Sequence, residues 1–208
     1  MNLTKNKKTA VFSSLGVMLI LILGFSAYSV FKSNNAYEKL RSKYPLITQS
    51  QYLIEDPRLG FEERVAEAPY IAKKKVVKRL PDYTVTVDDK EVGLSSVAEF
   101  CQYRVKLVED ITKTNIATDK NGTFVITFAK NLDRSYPDLD KDVSAVCSLE
   151  PASGVHEGKY IFYDRTFYYL DGGTALAAYE GDDSCAKKSC KEEKLIEQIK
   201  RIRENETK

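Results

Sequence analysis

The residues with the most chemistry in this chain are four cysteines and one histidine. Cys101, Cys147, Cys185 and Cys190 are even in number, and His156 is the only histidine. A cysteine with a histidine in reach is the minimum for a thiolate nucleophile, so Cys147 and His156 define an enzymatic alternative. In an oxidising compartment four cysteines pair instead, with three possible connectivities. Cys185 and Cys190 are separated only by Ala-Lys-Lys-Ser. That spacing favours Cys185–Cys190, and with it Cys101–Cys147, whose large loop is worth about 3–4 kcal/mol on the chain-entropy estimate. The rival is zinc, but a four-cysteine zinc site has two short pairs and only one is short here.

Three further groups carry charge or stacking surface. Asp138, Asp140 and Asp142 have the first spacing of a calcium loop. Its glycine is replaced by Val143 and its last ligand by Leu149, so the EF-hand reading fails; an irregular cation site or a solvated acidic loop remains. Lys73, Lys74, Lys75, Lys78 and Arg79 form a basic stretch. On a strand these side chains guard an exposed edge or meet an anionic lipid or wall polymer. Tyr160, Phe162, Tyr163, Phe167, Tyr168 and Tyr169 are an aromatic cluster, half of it expected inward by strand alternation. No phosphate-cradling glycine loop, nucleophile elbow, zinc-protease motif or dinucleotide fingerprint is present, so no cofactor is expected.

The elements that would position these residues follow a membrane-like segment. Thr9 to Phe31 is 23 residues without a charge, and as a helix it spans about 35 Å, enough for the hydrocarbon core. Residues 1–32 hold Lys5, Lys7, Lys8 and Lys32 and no acid. The other residues carry 28 basic against 30 acidic groups, so the formal total of +2 hides a basic start and a slightly acidic remainder. Lysines before the helix predict a cytoplasmic tail 1–8, an anchor 9–31 and everything after it outside the cytoplasm. The alternative is a cleaved signal peptide, with Ala27-Tyr28-Ser29 as the small-residue site. Mean hydropathy of -0.37 excludes a polytopic membrane protein, and the near-neutral total argues against a nucleic-acid partner.

Beyond the anchor, 32–60 reads as a stalk, with a short helix from Ala36 to Tyr44 stopped by Pro45. Phe61 to Ala68 reads as a helix ended by Pro69. Period-two alternation then marks strands around Tyr83–Val87, Tyr103–Leu107, Phe124–Phe128, Tyr160–Tyr163, Thr166–Leu170 and Thr174–Tyr179. Asp119-Lys120-Asn121-Gly122 is a hairpin turn, and Ser96 to Glu99 has capping-box spacing for a helical turn. Six or seven short strands describe a small antiparallel barrel or sandwich over 61–188. From Ser189 to Lys208 an apolar stripe of Leu195, Ile196, Ile199 and Ile202 predicts an amphipathic helix packed on the barrel edge or offered to a partner.

The order Gly60-Phe61-Glu62-Glu63, Ala68-Pro69-Tyr70-Ile71, Lys75-Val76-Val77-Lys78, Tyr83-Thr84-Val85, Tyr103 to Val108, Gly158-Lys159-Tyr160-Ile161-Phe162 and Tyr168 to Gly172 resembles small membrane-anchored extracytoplasmic proteins of Gram-positive bacteria. The resemblance covers about residues 60–180 and implies an OB-like five-stranded barrel. Lys73-Lys74-Lys75 stands where that pattern has glycine. A sortase-like chain would place its histidine well before its cysteine strand; here Cys147 precedes His156. The combined expectation is a mainly β protein. One transmembrane helix, a small antiparallel OB-like barrel with short flanking helices and a C-terminal amphipathic helix follow in that order. Its expected role is a single-pass, non-enzymatic binding module facing outward, partnered by the membrane and by a protein or an anionic wall polymer.

Overall fold

The computed structural model describes residues 37–47, 60–89, 94–130, 136–137, 139–181 and 183–206. The anticipated tail 1–8, anchor 9–31, cleavage site after Ser29, much of the stalk 32–60 and Asp138 lie outside the described residues. Among the described residues no helix is long and apolar enough to cross a membrane.

The chain divides into two units between Lys43 and Tyr44. In the first, residues 37–43 form helix α1, which ends before Pro45 as expected. The Arg41 guanidinium lies 5.7 Å from the Tyr37 ring centroid, one turn away.

The second unit holds the other elements. They are α2 (Phe61–Glu67), β1 (Tyr70–Asp89), β2 (Leu94–Asp110), β3 (Thr123–Ala129), β4 (Ser144–Pro151), a 3-10 turn (Gly154–His156), β5 (Tyr160–Asp171), β6 (Thr174–Ala177), α3 (Ser184–Lys187), β7 (Cys190–Lys191) and α4 (Glu192–Glu206). The sheet order is β3-β2-β1-β4-β5-β6-β7. A parallel pairing of Ile126 with Tyr160 joins β3 to β5, so five strands close into a barrel and β6 and β7 extend it outside. Among the named strands all other pairs are antiparallel, and a parallel bridge of Ile47 with Tyr179 lies outside them.

Alternation explains which side chains fill the barrel. Ala72, Val76, Val105, Phe124, Ile126, Phe128, Ala145, Cys147 and Leu149 are buried and share the inner face by register. Phe162, Phe167 and Tyr169 continue that face as an aromatic row, with Phe167 5.6 Å from Phe162 and 5.1 Å from Tyr169. Tyr44 stacks 4.4 Å from Tyr169, and the Ile47 N–H donates to Ala178 O at 2.8 Å. Residues 44–47 of the expected stalk therefore belong to the folded unit.

The outer face of β1, β4, β5 and β6 is covered as well. Ile71, Val146, Tyr168, Leu170, Ala175 and Ala177 pack under Phe61 and Val65 of α2 and Leu195 and Ile199 of α4. Burying Leu195 and Ile199 contributes about 1.5–3 kcal/mol each, so the C-terminal stripe is core. Arg203 of α4 donates to the Ala66 carbonyl at the end of α2, and Lys200 reaches Glu109 at 2.7 Å. Glu63 accepts the Gly60 N–H at 2.8 Å at the start of α2.

Two sequence expectations change here. Ser96 to Glu99 is strand, because Val97 and Glu99 sit opposite Thr86 and Thr84 on the long β1–β2 hairpin, and cross-strand pairing outweighs the local capping pattern. The 119–122 turn does form, with Asp119 accepting the Asn121 and Thr123 N–H groups at 2.9 Å each, but it needs positive φ only at Gly122, at 70°.

Candidate functional site: a basic sheet face and a buried lysine

The strand β1 carries the whole basic stretch, and the barrel sends its members in different directions. Ala72, Lys74 and Val76 alternate onto the inner face, so Lys74 is 0 % exposed. Lys73 faces outward and pairs with Glu192 at the start of α4. Arg79 pairs with Asp82 at 3.0 Å. The expectation of five surface cations is thus corrected. Lys74 is interior, and Lys73 and Arg79 are neutralised locally. Residues four apart on a regular strand share a face, but Lys74 and Lys78 do not, because register shifts interrupt β1 between Lys73 and Lys74 and between Val76 and Lys78.

What the fold builds instead is a two-strand face that includes β2. Lys75 lies opposite Lys106, and Lys78 lies opposite Arg104. One step earlier the sheet sets Lys73 opposite Glu109, so complementary pairing is available to it and is not used in the next two rows. Like charges directly opposite one another destabilise a sheet. Asp142 reaches Lys75 at 3.0 Å and Asp119 reaches Arg104 at 3.2 Å; those side chains are about half-exposed, and screening makes such pairs worth little. Lys78 and Lys106 are exposed, with no ion pair among the described residues. Sequence reading missed Arg104 and Lys106 because their place beside β1 is set by the hairpin register.

The barrel interior presents the opposite situation. Cys147 lies opposite Ala72, and Lys74 opposite Ala145, which makes Lys74 and Cys147 diagonal neighbours on one inner face. The Lys74 Nζ lies 4.5 Å from the Phe162 ring centroid and 5.3 Å from that of Phe167, the β5 residue opposite Cys147. Among the described residues no hydrogen bond of ordinary geometry reaches the Nζ, and the polar group that interacts with it is the Cys147 thiol. Burial lowers the lysine from its ordinary range, with Cys147 opposing that shift; burial raises the Cys147 thiol, with Lys74 opposing.

Cys185 and Cys190 form the expected disulfide, tying α3 to β7 with a Cα–Cα distance of 5.2 Å. Cys101 and Cys147 are buried thiols not joined to each other, a correction to the second expected bridge. The reason is the barrel closure. Cys101 pairs with Phe128 on β3, β3 meets β5 at the seam, and Cys147 pairs with Phe167 on β5, so three strand steps of about 4.8 Å each separate the two thiols, beyond disulfide reach. The Cys101 thiol donates to Phe128 O at 3.5 Å.

The structure does not bring Cys147 and His156 together. His156 sits on the 3-10 turn, 4.3 Å from Phe100 by ring centroids, with Nδ1 2.7 Å from the Tyr83 hydroxyl. Tyr83 is also 2.9 Å from Thr127 Oγ1, which donates to Cys101 O at 3.0 Å. The proton order that leaves no donor idle runs from Nδ1–H to Tyr83, from Tyr83 to Thr127, and from Thr127 to the carbonyl. This chain links the β1–β2 hairpin, β3 and the β4–β5 turn across the singly bridged seam. Tyr83→Phe should therefore cost about 1–2 kcal/mol in denaturant unfolding. Burial, then the nearby Lys159 charge, lowers His156 below 6.5. Its contribution is present above the unfolded value and is lost as pH falls through the folded one. The wild type should lose stability relative to His156→Gln between pH 7.5 and 5.5; parallel curves would remove the histidine from the seam.

Among the described residues no three His, Cys, Asp or Glu side chains gather as a metal site, and Asp142 is engaged by Lys75. A cleft of about 540 Å³ beside α2, α3 and α4 is lined by Glu62, Glu63, Asp183 and Gln198 among others. Its Asp183 is held by Tyr168 at 2.9 Å and Arg64 at 3.7 Å, which makes it a structural contact.

No family model, no curated protein and no solved structure matches this chain.

Proposed function

We propose that this protein is a membrane-tethered, extracytoplasmic binding module with an OB-like barrel that holds a phosphate-bearing polyanion such as a wall polymer, and that it acts without catalysis. The observation that carries the reading is the pair of like-charged cross-strand rows, Lys75 opposite Lys106 and Lys78 opposite Arg104. The sheet bears their repulsion in an otherwise nearly neutral chain, and an anionic ligand relieves it. The 23-residue uncharged run with lysines before it supports the tether, and the Cys185–Cys190 disulfide supports an oxidising compartment. The five-stranded closure supports kinship with OB-like surface proteins of Gram-positive bacteria.

The test is titration of the full-length chain, held in nanodiscs of zwitterionic lipid, with poly(glycerol phosphate). Saturable binding that a neutral glucan does not reproduce is expected. Equal binding to both polymers, or to neither, would reject the polyanion.

A further inference from the structure

A lysine fully enclosed in a barrel, with no hydrogen bond of ordinary geometry among the described residues, is a poor structural choice, since Met fills the same space without a polar head. What distinguishes this site is the second reactive group. The Cys147 thiol is also 0 % exposed, stands diagonal to Lys74 across β1 and β4, and is opposite the Phe167 ring over which the amine sits. The two side chains thus share one apolar inner face with Phe162 and Phe167. Burial shields both groups from water and large oxidants, whereas a small apolar gas enters an apolar interior. Burial disfavours both the ammonium and the thiolate.

We propose that Lys74 and Cys147 are an oxidative modification site, at which dioxygen joins Nζ to Sγ through a single oxygen atom. One amine, one thiol and one dioxygen give one N–O–S bridge and one water. An N–H, the S–H and the O–O bond break; N–O, O–S and two O–H bonds form. Nitrogen and sulfur each lose two electrons, and dioxygen takes up four. Two molecules of a dithiol reverse the step, returning amine, thiol and one water and leaving two cyclic disulfides. The bridge locks β1 to β4 inside the barrel, and reduction unlocks it. Cys101, three strand steps away around the closed barrel, is out of disulfide reach of Cys147.

The experiment is mass spectrometry of the full-length chain purified from aerated cells and, in parallel, under nitrogen. The aerobic protein should gain about 14 Da (one oxygen in, two hydrogens out) and yield a linked peptide pair carrying positions 74 and 147. Dithiothreitol should remove the gain, and the nitrogen-purified protein should lack it. Lys74→Met and Cys147→Ala should each abolish it. The wild-type peptide map decides the matter even if a variant fails to fold. An unmodified mass after aerobic purification, or oxidation confined to Cys147 with a free Lys74 peptide, would overturn the proposal.

Discussion

Lys74→Met stabilises the folded chain by about 1–3 kcal/mol, the cost of a buried polar group left without a partner. The substitution keeps side-chain volume and removes the one polar atom, so no cavity term opposes it. In a chain of this size that gain moves the melting midpoint by roughly 2–4 °C per kcal/mol. The measurement is thermal unfolding with reductant present, which keeps Lys74 and Cys147 unlinked. The pH dependence carries the sign. Burial depresses the folded Lys74 below its unfolded value near 10.5, so between the two values the unfolded chain binds the extra proton. Wild-type stability from this group therefore rises as pH rises toward 10.5. The advantage of Lys74→Met should narrow between pH 7 and pH 9. Cys147 has the opposite sign because its folded value is raised, but it is present in both proteins and largely cancels. A variant that is less stable than wild type at every pH would mean that the ammonium is satisfied where it stands.

Lys78→Gln combined with Lys106→Gln weakens binding to poly(glycerol phosphate) by roughly 10- to 30-fold, taking about 1 kcal/mol for each cation near an anionic surface. These two cations have no ion partner among the described residues, so nothing else in the fold depends on their charge. Stability moves the other way. Removing one member of each like-charged row relieves cross-strand repulsion, so the double variant melts at or slightly above the wild-type temperature. Loss of binding without loss of stability separates a ligand face from a structural one. Lys73→Gln is the internal control. It breaks the pair with Glu192 that docks α4, and it should lower the melting temperature while leaving binding unchanged.

Much of the architecture was legible in alternation. Phe124, Ile126 and Phe128 announced β3, and Leu195 and Ile199 announced the helix that caps the sheet. The basic stretch was misread for a physical reason. Three consecutive lysines look like surface, yet Ala72 and Val76 flank Lys74 at period two, and that spacing already placed it on an apolar face. Lys78 could not be placed by counting, since a bulge breaks the period just before it. The face with Arg104 and Lys106 depends on hairpin register, which spans a turn outside the local pattern. Barrel closure likewise sets the separation of Cys101 from Cys147. Even cysteine number predicts that pairing, but it carries no information about how far apart two strands place their residues. His156 was noticed as a catalytic partner, and its contact with Tyr83 joins residues 73 positions apart, which no spacing rule reaches.

The most direct test of polyanion binding is the salt dependence of the affinity of the full-length wild type for poly(glycerol phosphate). With two to four cations each displacing a counterion, the logarithm of the affinity should fall linearly with the logarithm of salt, with a slope of roughly −2 to −4. The slope should flatten by about two in the Lys78→Gln, Lys106→Gln protein. An affinity that does not change between low and high salt, or a slope that the double substitution leaves untouched, would contradict binding through this face.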